Sequence, residues 1–70
     1  MIEVGKTLPN GATVLAHRPG SGGYEIVLAF SPESSDPFIT WRAIPLSGET
    51  FWGSYHQNIG DAVNDYEERP

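Results

Sequence analysis

His17 and His56 are the only imidazoles in a chain of 70 residues that has no cysteine. Metal ligation by such groups needs a second ligand at a set spacing, as in HxxxH, or a neighbouring thiolate, and neither histidine has one. Nucleophilic catalysis needs a hydroxyl, a base and an orienting acid assembled together. Serines are available in several loops, but nothing in the spacing ties one of them to His17 or His56. Both histidines therefore read as polar ends of strands. The run RPGSGG, Arg18 to Gly23, has the glycines of a phosphate-cradling loop without the lysine and helix that make such loops bind, so it reads as a turn. The sequence gives no reason to expect an enzyme, a metal or a cofactor.

The densest chemistry is aromatic. TFWGSY, Thr50 to Tyr55, is preceded by PFITWRAI and a turn at PLSGE. With Leu46-Ser47-Gly48 as a three-residue loop, the two strands pair Ala43 with Phe51, Arg42 with Trp52, Trp41 with Gly53 and Ile39 with Tyr55. One face then gathers Ile39, Trp41, Ala43, Phe51, Gly53 and Tyr55, and the other gathers Thr40, Arg42, Trp52 and Ser54. A one-residue slip pairs Ala43 with Thr50 and mixes polar groups into the apolar face, so the first register is favoured. There Gly53 leaves room for the Trp41 ring. Trp52 projects outward beside Arg42, where a guanidinium over an indole is worth roughly 0.5–1 kcal/mol. Such a pair usually covers a sheet, but tryptophan and arginine also anchor interfaces, so Arg42 and Trp52 form the first candidate contact patch.

A second candidate is acidic. Ile59, Ala62, Val63 and Tyr66 recur at helical spacing behind Asn58, a good amino-terminal cap, with Arg69 at the end that favours positive charge. Asp61, Asn64, Asp65 and Glu68 should lie opposite that stripe. Residues 58–70 hold four acids and one base, a net of −3. The ridge reads first as a solvated face and second, through Asp61, Asp65 and Glu68, as a surface for a basic partner.

These side chains must be positioned by a single small domain spanning residues 1–70. The apolar fraction of 39% is that of a folding chain, and with no disulfide available the remaining devices are close packing or self-association. The formal charge of −5 argues against nucleic acid and anionic membranes as partners. No basic leader precedes an apolar run, and the longest apolar stretch, Ile26 to Phe30, is too short to cross a bilayer, so a cytoplasmic location is expected.

Turns at LPNGA and PGSGG separate three strand-like runs: Ile2 to Leu8, Ala12 to Arg18, and Tyr24 to Phe30, the last with Tyr24, Ile26, Leu28 and Phe30 on one face. SPESSDP, Ser31 to Pro37, is a solvated loop. The expected fold is α+β: a four- to five-stranded antiparallel sheet, mostly a meander, with one carboxy-terminal helix packed on a face. The expected core is Tyr24, Ile26, Leu28, Phe30, Ile39, Trp41, Phe51, Tyr55, Ile59, Val63 and Tyr66.

The string TWR at Thr40 to Arg42, then Gly48, FWG at Phe51 to Gly53, Tyr55, Ala62, Tyr66 and Arg69 resembles short uncharacterised bacterial proteins, some carried on phages and plasmids. The resemblance spans residues 40–69, implies a small strand-rich domain with a terminal helix, and carries no activity or functional residue with it. The expectation is a non-catalytic protein-interaction module with an unidentified protein partner. The alternative is a mobile-element inhibitor of a host defence nuclease acting through the acidic helix. An enzyme or ligand carrier with a site assembled in space and a homodimer contact on the outer face are further readings.

Overall fold

The computed structural model describes residues 2–70. Four strands, β1 (Thr13–Pro19), β2 (Glu25–Phe30), β3 (Phe38–Ala43) and β4 (Thr50–His56), form one antiparallel sheet in sequence order, followed by the helix α1 (Ile59–Glu68). The α+β meander with a terminal helix is as expected. No helix among the described residues is long and apolar enough to cross a membrane.

The fifth strand does not form. Residues 2–8 run irregularly, with left-handed backbone at Gly5 and a single bridge between Thr7 and Thr13. They nevertheless cover one face of the sheet over β1, β2 and β3. Ile2, Leu8 and Ala12 close over Val14, Val27, Ala29, Ile39, Trp41 and Ala43, and this set is one continuous buried cluster. The LPNGA turn that returns the chain to β1 is closed by Leu8 N–H donating to Ala12 O and Gly11 N–H donating to Leu8 O, with Gly11 at φ 93°.

The helix therefore lies on the opposite face, away from Ile39 and Trp41, with which the expected core grouped its apolar stripe. It packs over Ile26, Leu28 and Thr40, all buried, and over Ser54 and His56 at the sheet edge. With both faces covered, β2 is buried from Ile26 to Ala29 without alternation, so the single apolar face expected for it is too narrow a reading. Asn58 caps α1 as expected, its side-chain oxygen accepting from Asp61 N–H. The face turned to the sheet is Ala62, Asp65, Tyr66 and Arg69, one step round from the apolar stripe. Ile59 is left exposed, and Val63 half-buried. Tyr24 and Tyr55, expected in the core, are also exposed, and Phe30 and Phe51 are half-buried.

The β3–β4 hairpin combines both registers that the sequence allows. Ile44 N–H donates to Glu49 O and Gly48 N–H to Ile44 O, so the loop is four residues, Pro45 to Gly48, rather than three. Gly48 takes the left-handed conformation expected of it. Near the loop the slipped pairing holds, Ala43 with Thr50 and Arg42 with Phe51. Farther on, the favoured pairing returns, Thr40 with Ser54 and Ile39 with Tyr55. The difference is absorbed by a bulge in which Trp52 and Gly53 together face Trp41. Phe51 is thereby moved from the Trp41 face to the Arg42 face.

At the bulge the indole of Trp41 lies against Gly53. A Cβ there would collide with Trp41 Nε1 and sit 2.6 Å from Cδ1. Gly53→Ala must push out a buried ring and should cost about 1–3 kcal/mol, the usual range for overpacking. Urea titration of the two proteins checks this: an unchanged midpoint would mean the ring does not occupy that space.

Candidate functional site

The two patches read from the sequence meet different fates. Arg42 and Trp52 come together: the guanidinium carbon lies 5.2 Å from the indole centroid. Trp52 is 71% exposed and has φ 55°, left-handed backbone that a bulky residue adopts at a cost of roughly 1–2 kcal/mol. Arg42 makes no ion pair among the described residues. The corner continues as an aromatic row, Phe51 packing edge-on against Trp52 at 5.5 Å and against Tyr24 at 5.0 Å.

The acidic ridge does not assemble as expected. Asp61 and Glu68 are exposed, Asp61 being tied to Asn58, but Asp65 turns to the sheet. Its carboxylate accepts from the hydroxyl of fully buried Thr40 and from Arg69 Nε at 3.0 Å. Arg69 also donates to Ser54 Oγ at 3.0 Å. The half-buried His56 places a sealed Nε2 3.8 Å from the same carboxylate, beyond hydrogen-bonding reach. Burial would raise the Asp65 carboxyl, but the donors Thr40 and Arg69 with the charges of Arg69 and His56 outweigh it and hold the group below the usual aspartate range. Asp65 is thus a strut between helix and sheet.

His17 and Arg18 are also committed locally. His17 Nδ1 is 2.6 Å from Glu25 Oε1 across the β1–β2 pair. Arg18 donates at 2.6 Å to the carbonyl oxygens of Tyr66 and Arg69 and lies 5.3 Å from the Tyr66 ring centroid, neutralising the carboxy-terminal end of the helix. Burial pushes the Tyr66 phenol up.

On the other side of β4 an open cleft of about 440 Å³ lies between Trp41, Trp52 and Tyr55, with Asn10, Ser31 and Ser34 along the opposite wall. Trp41 is only 7% exposed and meets the exposed Tyr55 edge-to-face at 6.3 Å. The cleft is hidden from the sequence because strand alternation puts Tyr55 in the core and does not set the loop after Phe30 against the sheet. The available clue is Gly53, since an isolated glycine inside a strand pattern marks a bulge.

No protein-family model, curated protein or solved structure matches the chain. The candidate surface therefore rests on its own geometry.

Two measurements probe that geometry. If residue 52 is held left-handed, Trp52→Gly should be more stable than Trp52→Ala by about 1 kcal/mol, since both lose the ring and only glycine is free of strain. Equal midpoints in urea would contradict it. For Asp65 the folded-state value lies below the unfolded one, so its contribution is complete above about pH 4 and is lost as pH falls through the folded value. Asp65→Asn should accordingly be less stable than the native chain at neutral pH, with the gap narrowing in acid. A gap that stays constant down to about pH 2 would refute the strut.

Proposed function

We propose that this chain is a small, non-catalytic protein-binding module of the cytoplasm, docking through the corner formed by Arg42 and Trp52. The observation that carries the reading is Trp52: a large, exposed aromatic ring held by unfavourable backbone geometry beside a guanidinium with no carboxylate partner among the described residues. The bulge sets this backbone, and its effect is to hold the ring out in solvent, where strained residues often cluster at binding sites. Tryptophan and arginine together are the usual anchors of protein interfaces. The groups that resemble catalytic components, Asp65, Ser54 and His17, are bonded within the fold, which also favours binding over catalysis.

The alternative, a mobile-element inhibitor presenting an acidic helix to a host defence nuclease, retains Asp61 and Glu68 but loses Asp65 to the helix–sheet contact. Affinity capture from native cells separates the two. Trp52→Gly should reduce recovery of the partner by about tenfold or more, the effect of removing an interface anchor, while the fold persists. Asp61→Lys with Glu68→Lys should leave recovery unchanged. The reverse pattern supports the acidic helix, and recovery indifferent to Trp52→Gly rejects the corner.

A further inference from the structure

The cleft behind Trp52 narrows the class of partner that a protein-binding corner would take. Resting on that binding role, we propose that the cleft receives a proline-rich segment in the extended polyproline conformation, laid along β4 from Trp52 to Tyr55.

The first argument is hydrogen bonding. Trp41 is nine-tenths buried, yet its indole N–H enters no side-chain hydrogen bond among the described residues and its nitrogen is not sealed from the surface. It reaches Gly53 at the cleft, where no side chain intervenes. A buried side chain with an accessible, unpaired donor calls for an acceptor from outside. Tyr55, Ser31 and Ser34 add hydroxyls to the lining, but none of the chain's nine carboxylates is part of it. Asn10 is already engaged, its oxygen accepting from Ala12 N–H at 3.0 Å and its amide donating to Thr50 Oγ1 at 3.1 Å. The cleft thus offers an indole N–H and hydroxyls as donors and holds no carboxylate. A proline-rich segment complements it, offering carbonyl oxygens and lacking N–H at each proline.

The second argument is shape. Trp52 and Tyr55 are three residues apart on β4, at most about 10 Å along a strand. A polyproline helix has three residues per turn and rises about 3.1 Å per residue, so equivalent rings recur every 9 Å or so. Successive turns can then bear on the two aromatic walls, the arrangement by which aromatic-lined grooves hold such segments. The bulge further disfavours the other extended mode, strand addition, because left-handed Trp52 interrupts the open edge of β4.

The probe is a ten-residue polyproline peptide titrated into the full chain labelled with nitrogen-15. The two indole N–H signals are assigned by the loss of one in Trp52→Gly. The Trp41 signal should move saturably with a dissociation constant under about 1 mM, and Tyr55→Ala should weaken binding about tenfold. No movement at about 5 mM peptide overturns the proposal. So does an equal response to cellohexaose or to a glycine-serine peptide of the same length. If the peptide fails while cellular capture still depends on Trp52, only the proline-rich class is rejected. If capture also ignores Trp52, the binding corner itself is rejected.

Discussion

The indole of Trp41 lies where a side chain at position 53 would have to be, and most of the molecule's distinctive features trace back to that contact. Glycine is required at 53. The turn ahead of β4 closes with four residues, which delivers the strand one position out of step with the pairing its far end adopts. A bulge opposite Trp41 takes up the extra residue at the point where the missing Cβ leaves space for the ring. Forcing two residues against one bends the backbone at Trp52 into the left-handed region and turns its ring out of the sheet. Phe51 moves to the Arg42 face in the same step. Core packing and surface chemistry are two sides of one adjustment.

The helix depends on a different kind of contact. A small domain would ordinarily dock its terminal helix through apolar side chains, and the other face of this sheet offers them. That face is already taken by Ile2, Leu8 and Ala12. The helix is left with Ile26 and Leu28 at one side and Thr40, Ser54 and His56 at the other, so it rotates until Asp65 and Arg69 meet the polar groups. Such a cluster contributes less net stability than an apolar patch of equal size, but its geometry admits a single rotation and depth. Arg18 adds a second fixed point at the helix end.

Patterns confined to one element are readable in advance. The four strands, the Asn58 cap, the left-handed Gly48 and the room at Gly53 for Trp41 all come from local punctuation or from one strand pair. The choice of sheet face is not readable. Residues 2–8 have the composition of a strand yet act as an apolar cover, and a covering segment and an added strand differ only in where their backbone hydrogen bonds go. Once that face is occupied, the helix stripe, the inward turn of Asp65 and the exposure of Tyr55 and Ile59 all change together. The register departs from expectation for another reason: the two pairings exclude each other in a regular hairpin, whereas a glycine inside the strand permits both. Of the candidate residues, Arg42 and Trp52 are legible because their meeting needs only one hairpin. Asp65 is not, because its position needs the whole fold.

The treatment of the two sheet edges bears on what the exposed aromatics can do. An open strand edge flanked by large apolar side chains invites pairing with other chains. At β1 the edge is occupied at its Val14 end, with Gly5 N–H donating to Val14 O and Val14 N–H to Lys6 O. At β4 no described residue pairs with it, but it is broken by the bulge, so an incoming strand would lose its register at Trp52. The backbone at that edge is a poor adhesive, while the rings of Trp52 and Tyr55 remain in solvent. Hydrophobic exposure at this place therefore does not bring indiscriminate strand pairing with it.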